Sequence, residues 1–391
     1  MTEETRAPLA ADVYLMAFAC EPHRGSEPGV GFAAAAALGS VPGRPGDRRV
    51  LVTRPHRVDT IRAELDALGA PPIEVLAIPL PRLLVRLTGR RRVRLAYVCW
   101  QWTAVRTLRR RLDPDRAAVV HHVTFASEGV PTFESRLRDR AALVFGPAGS
   151  STDAEGEETL SRRLRRAFAR RTLSGSDVLV AQSHAVAEGW RRQGAAAAVV
   201  VEPNIVIERG ERLPPRWDVV CVGRLIPRKR VDLALRAFAL GAPDDARLGV
   251  LGDGPLEDDL RALAAQLEID DRVDFLGEVE RAEVLQAMAS ARVLLHASRQ
   301  EGAPWVIGEA QSVGAHPIAL RGTGADEAIL AGGFGTVVDE PTPEALAVAL
   351  ADALAGPDTE PSDRWSAARL PDRFTEWYAL ALERSSGRLA R

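Results

Sequence analysis

Short apolar runs bounded by glycine, proline or charge recur along this chain, and longer stretches with apolar residues at helical spacing separate them. The runs DVYLMAFAC (12–20), RRVLVTRP (48–55), IEVLAIPL (73–80), AAVVHHVTF (117–125), AALVF (141–145), DVLVAQS (177–183) and VVVEPN (199–204) read as a first set of strands. After NIVIERGERLPPRW, which reads as a linker, a second set follows: DVVCVGRL (218–225), ARLGVLGDGP (246–255), RVDFLGEV (272–279), VLLHA (293–297), HPIAL (316–320) and GTVVD (335–339). Most of these runs are apolar throughout rather than alternating, as expected of strands buried on both faces of a parallel sheet. The intervening segments predict helices: an alanine run to Leu38, Val58 to Leu68, 231–240, about 256–267, 282–291, Trp305 to Val313 ended by Gly314, 342–354, and about Asp372 to Ser385. Strand and helix in alternation predict an α/β fold with parallel sheets.

Composition narrows this only slightly. A chain of 391 residues suits two domains of ordinary size. The net charge of -2 supplies no global attraction to nucleic acid. Cys20, Cys99 and Cys221 are widely spaced and odd in number, against a disulfide framework or a zinc site. The start, MTEETRAPLAAD, has no apolar signal core, and no run of about 18 apolar residues predicts a membrane span. A cytoplasmic protein is the expectation, with peripheral membrane contact left open. Lys229 is the one lysine among 51 basic residues, a hint that a compact ammonium is wanted there.

The candidate chemistry sits where predicted strands end and helices begin, the side on which parallel sheets bind ligands. Gly223-Arg224 ends one strand and Lys229 precedes the next helix; an arginine and a lysine so spaced can reach one diphosphate. A basic surface turn has the same pattern. Glu301 lies in the loop after 293–297, followed by Pro304, Trp305, Val306 and, in the helix, Glu309. Free amides at that helix start can seat a phosphate. The two carboxylates fit a ligand with hydroxyls on either side of its phosphates, or are simply solvated. Gly25, Gly29 and Gly31 follow the first strand, and Gly252 and Gly254 another. His121 and His122 end a strand and alternation sends them to opposite faces; His122 is the candidate to meet substrate. Asp113-Pro114-Asp115 reads as a turn rather than a metal site. Residues 82–116 mix arginines with Trp100 and Trp102, and 162–171 is again basic. Each run reads either as a helix with a solvated arginine face or as a surface for anionic lipid.

The run Glu301, Glu309, Ala310, Gly314, Pro317, with Gly223-Arg224 and Arg228-Lys229 before a helix opening Val-Asp, resembles the retaining glycosyltransferases of family 4. Ala303 and Gln311 depart from that pattern, where an aromatic and a methionine are usual. The resemblance implies two Rossmann-like βαβ domains facing each other across a cleft, the GT-B architecture, with a C-terminal helix crossing back to the first domain. The implied domains are 1–205 for the acceptor, 206–370 for a nucleotide-sugar donor, and the helix 371–391. It further implies that Arg224 and Lys229 steady the leaving diphosphate. Glu309 would bind the ribose and Glu301 the sugar, with His122 near the reacting centre. Gly29, Gly31, Gly223, Gly252, Gly254 and Val279 would line the nucleotide, and Glu327 matches a family glutamate. No metal or cofactor is expected; the substrate would be a nucleoside-diphosphate sugar, a UDP-sugar by base rate, with a small-molecule or lipid-linked acceptor. A sugar-nucleotide epimerase of the same fold and a non-catalytic partner protein are the alternatives.

Overall fold

The structure is a computed structural model and describes residues 8–22, 26–80, 93–127, 129–149, 160–300 and 304–389. The chain divides into two compact units: residues 1–204 with 367–391, and residues 205–366.

The first unit holds seven parallel strands in the order β3-β2-β1-β4-β5-β6-β7. They are β1 (Asp12–Met16), β2 (Arg49–Thr53), β3 (Glu74–Ala77), β4 (Ala118–His122), β5 (Ala142–Ala148), β6 (Val178–Ala181) and β7 (Ala198–Val201). β1, β2 and β4 are buried along their whole length, which is why their sequences show no alternation. The helices are α1 (Ser26–Gly39), α2 (Val58–Ala67), α3 (Val93–Arg111), α4 (Leu160–Gly175) and α5 (His184–Arg192). Ser183 caps α5 by accepting from the Val186 amide at 3.1 Å, and a 3₁₀ turn, Glu134–Leu137, packs against both α3 and α4. β5 runs beyond the expected end at Phe145 through Gly146–Ala148, where Ala148 pairs with Ala181. Asp113 accepts from the Asp115 amide at 3.0 Å, so Asp-Pro-Asp is a turn.

The second unit is built on six parallel strands in the order β10-β9-β8-β11-β12-β13. They are β8 (Trp217–Val222), β9 (Leu248–Leu251), β10 (Val273–Gly277), β11 (Ala291–His296), β12 (His316–Leu320) and β13 (Thr336–Val338). Helices α6 (Val231–Gly241), α7 (Glu257–Gln266), α8 (Arg281–Ala289), α9 (Trp305–Val313), α10 (Ala325–Gly332) and α11 (Pro343–Ala355) cover it. Numbered from β8 as first, the order is 3-2-1-4-5-6, the doubly wound Rossmann arrangement. The stretch expected as a linker is packed: Ile205 and Ile207 are buried in this unit's core, and the amides of Gly210 and Leu213 donate to Ser312 and Ala289. Bulky apolar residues interleaved with its prolines and charges explain the difference.

The last helix, α12 (Leu370–Leu389), belongs to the first unit. Its Phe374, Trp377 and Tyr378 are buried and ring His121 edge-on with centroids 5.3, 5.9 and 5.5 Å away. Arg373 pairs with Glu202 at 2.9 Å and Arg388 with Asp177 at 2.7 Å. Among the described residues no helix is long and apolar enough to cross a membrane.

Candidate functional site

In a doubly wound sheet the order reverses between the first and fourth strands, and their carboxyl ends diverge into a crevice. In the second unit these strands are β8 and β11. The loop leaving β8 starts at Gly223 and runs through the 3₁₀ turn Pro227–Lys229 into α6. Gly223 has φ 140°, Gly252 128° and Gly254 156°. A Cβ on Gly252 would stand 2.2 Å from the Gly223 carbonyl oxygen, and one on Gly254 2.5 Å from that of Leu225. The Gly223 amide donates to Leu251 at 2.9 Å and the Gly252 amide to Gly277 at 2.8 Å. Glycine here lets the ends of β8, β9 and β10 pack backbone on backbone, leaving one compact rim.

Lys229 folds back over that rim: a Cβ on Gly223 would lie 3.2 Å from its Cε and 3.5 Å from Nζ. Arg224, beside it, is exposed. The loop is tied to the one leaving β11, because the Arg228 carbonyl accepts from the Arg299 amide at 3.0 Å and Arg228 donates to the Gln300 carbonyl at 2.9 Å. Glu301 lies outside the described residues. Pro304 is the residue before α9, and Trp305 and Val306 open the helix half-buried against the core.

Glu309, on the second turn of α9, is buried, and its carboxylate pairs with Arg281 of α8 at 2.9 Å. Burial pushes its acidity weaker than the ordinary value of 4.5, and Arg281 opposes that shift. The same guanidinium sits 5.2 Å from the centre of the Trp305 ring. Arg281 was not legible in the sequence, where it is one arginine among dozens. Val279 lies two residues before it, packed partly on the core. After β12, Asp326 accepts from the amides of Gly322 and Gly324 at 2.9 and 3.0 Å, shaping the turn that precedes Glu327. The Gly-Thr-Gly-Ala-Asp spelling is the signal that could have shown it.

In the first unit three expectations need correction. Gly29 and Gly31 lie within α1 rather than in a loop before it. Gly31 answers to packing, since a Cβ there would meet the Ala19 carbonyl oxygen at 2.0 Å. His122 faces inward, 1% exposed. Its Nδ1 is 2.8 Å from Glu134, and its Nε2 is 3.0 Å from both the Tyr97 hydroxyl and the Thr124 carbonyl. Gln101 closes the cluster by donating to Glu134 at 2.8 Å. Satisfied on both nitrogens, His122 is a core histidine in this structure. His121 is likewise enclosed: Nε2 donates to the Gly146 carbonyl at 2.8 Å, which leaves Nδ1 to accept from the Tyr378 hydroxyl at 2.9 Å. Burial pulls its pKa down to about 3, with the Gly146 carbonyl working against it and His122 adding to it. Glu27, on the first turn of α1, accepts from the Phe125 amide at 3.2 Å, and burial holds its carboxyl above the ordinary range.

A parallel sheet in Rossmann order, with cations, a helix start and a buried carboxylate around its switch point, is an arrangement suited to a phosphate-bearing ligand. Residues 207–369 match the family model Glycosyl transferases group 1. The chain is 35% identical, over 155 residues, to the GDP-mannose-dependent alpha-(1-6)-phosphatidylinositol monomannoside mannosyltransferase of Mycolicibacterium smegmatis. That match takes in 37% of this chain and 40% of the relative's length. A longer match, 28% identical over 326 residues, covers 78% of this chain and 80% of the GDP-mannose-dependent alpha-(1-6)-phosphatidylinositol dimannoside mannosyltransferase of Mycobacterium tuberculosis. The fold is shared with Anabaena Alr3699/HepE, solved in complex with UDP, at TM-score 0.53 and 16% identity over 97% of this chain and 100% of that one. The lipopolysaccharide outer core galactosyltransferase WaaB shares it at TM-score 0.55 and 16% identity, over 97% and 99% of the two chains.

Proposed function

We propose that this chain is a retaining, metal-independent glycosyltransferase that moves a sugar from a nucleoside diphosphate to a small-molecule or lipid-linked acceptor. The observation that carries the reading is Lys229 laid over Gly223 at the switch point of a glycosyl transferases group 1 domain. In this reading Arg224 and Lys229 meet the diphosphate and stabilise the charge that grows on it as the bond to the sugar breaks, a task metal ions perform elsewhere. The amides opening α9 add partial positive charge. Glu309 accepts from the ribose hydroxyls and Glu301 from those of the sugar. The acceptor attacks from the face the diphosphate leaves, and its proton passes to the departing phosphate oxygen. The names of the mycobacterial relatives favour GDP-mannose as donor over the UDP-sugar expected from base rate. Their lipid acceptors favour a product in the bacterial cell envelope, and with it contact between the basic 82–116 segment and a membrane; residues 81–92 lie outside the described residues.

A thermal-shift panel with GDP, UDP, ADP and dTDP, with and without EDTA, tests the reading. A nucleotide at about 100 times its dissociation constant adds roughly 2.7 kcal/mol of stability. One base should raise the midpoint regardless of EDTA, and Glu309→Ala should abolish the rise. No rise with any nucleotide, or one that needs a divalent metal, counts against it. An epimerase would convert donor alone in a mass-resolved assay, whereas a transferase requires the acceptor.

A further inference from the structure

The first unit carries a cavity of about 290 Å³ lined by Trp102, Val105, Arg106, Arg109, Arg110 and Arg136. One wall is α3 and the other the 3₁₀ turn Glu134–Leu137. Arg109 is committed to holding these walls together: it grips Asp139 through two bonds of 2.7 Å and donates to the Arg136 carbonyl. The other three arginines differ. Arg106 and Arg110 are exposed and have no acidic partner among the described residues. Arg136 lies over the Trp102 ring at 4.5 Å, with Phe133 edge-on to that ring at 5.5 Å. Three guanidinium groups thus border one hollow whose nearby carboxylate, Asp139, is already taken.

The surroundings identify the kind of anion. Trp102 keeps 41% of its surface exposed although it is braced on two sides, and Leu95, two turns earlier on the same face of α3, keeps 44%. An exposed tryptophan beside arginines is the arrangement found where proteins meet the headgroup layer of a membrane. The turn bearing Arg136 also touches α4: Arg171 donates to Ser135 at 3.3 Å and Arg138 to the Ser174 carbonyl at 3.0 Å. α4 exposes Arg163, Arg165, Arg166 and Arg170 as well. Both basic helices therefore flank one turn, and α3 and that turn line the cavity. The hollow is several times larger than a water's share of liquid volume, about 30 Å³, so it has room for a phosphate with an attached polyol. Guanidinium forks match paired phosphate oxygens.

We propose that this cavity receives the phosphate-bearing headgroup of an anionic phospholipid, with Trp102 and Leu95 entering the interfacial layer. The inference rests on the membrane contact put forward above, gives it an address, and is independent of transferase activity. The test is co-sedimentation of the full chain with vesicles of phosphatidylcholine alone and with roughly a third phosphatidylglycerol. The wild type should bind the anionic vesicles only and release them in high salt. Arg106→Ala/Arg110→Ala/Arg136→Ala should weaken that partition on the order of a hundredfold. Arg106→Glu/Arg110→Glu, which alters only exposed side chains, should do the same with an unchanged thermal midpoint and nucleotide shift. Undiminished binding by the charge-reversed variant overturns the cavity as the site while leaving membrane contact standing. No binding of the wild type to either vesicle overturns both, and the nucleotide panel then still stands or falls separately. A midpoint raised by glycerol 3-phosphate without vesicle binding replaces the lipid with a soluble phosphate.

Discussion

Glu309 shows how function is set against stability at a single position. Its carboxyl is held above the ordinary 4.5 by burial, only partly relieved by Arg281. A raised folded-state value means that ionisation opposes folding: the penalty is absent below pH about 4.5, grows towards the raised value, and is full above it. Glu309→Gln should therefore leave the neutral-pH thermal midpoint unchanged or higher while abolishing the nucleotide-induced rise. A lowered midpoint with the rise intact would make Glu309 structural. Lys229→Ala removes charge from a half-buried loop, and we expect turnover to fall by about 10²–10³-fold with little change in the melting curve. Near-normal turnover would take Lys229 out of the chemistry. Arg281→Ala should let Glu309 take up a proton at higher pH, so nucleotide affinity should weaken on acidification earlier than in the wild type.

At the level of elements, glycine and buried charge decide where strands end and how they are held. Gly252→Ala would bring a methyl group to 2.2 Å from the Gly223 carbonyl at a backbone φ of 128°. Strain of this sort is worth on the order of 1–3 kcal/mol before the clash is counted. Calorimetry should show loss in the second unit's transition alone. In the first unit, Asp12 is buried at the start of β1, where it accepts from the Arg48 amide at 2.8 Å and pairs with the side chains of Arg48 and Arg116 at 2.7 and 2.9 Å. Burial works to raise its pKa, but these bonds win and hold it below the ordinary 3.8. Its stabilising share is thus complete above pH about 4 and is lost as pH falls through the depressed value. Asp12→Asn should lower the midpoint at neutral pH and flatten its dependence on pH in the acid range; equal slopes for variant and wild type would refute the pairing.

On the scale of the whole molecule, the chain leaves the first unit, builds the second, and returns. The return is an obligatory part of the first unit's core, because Phe374, Trp377 and Tyr378 enclose a neutral His121 and two buried-end ion pairs pin α12. Deleting residues 367–391 should uncover His121 and the core those rings cover and abolish the first unit's cooperative transition, seen by calorimetry, while the transition of residues 205–366 persists. Survival of both transitions would show the helix to be an accessory.

Element order was legible in the residues almost throughout. Mostly apolar runs such as HPIAL suit a strand buried on both faces of a parallel sheet, and α9 ends at Gly314 as its αL position dictates. The sequence also marked the loop of Gly223, Arg224 and Lys229, because local backbone requirements and charge are written in consecutive residues. Relations between distant residues came only with the packed fold. Whether His122 meets solvent or Glu134, whether Gly31 serves a ligand or the Ala19 carbonyl, and that Arg281 would lie against Glu309 depend on which helix packs over which strand end. Burial, pairing and packing are properties of that assembly, and no local pattern of residues carries them.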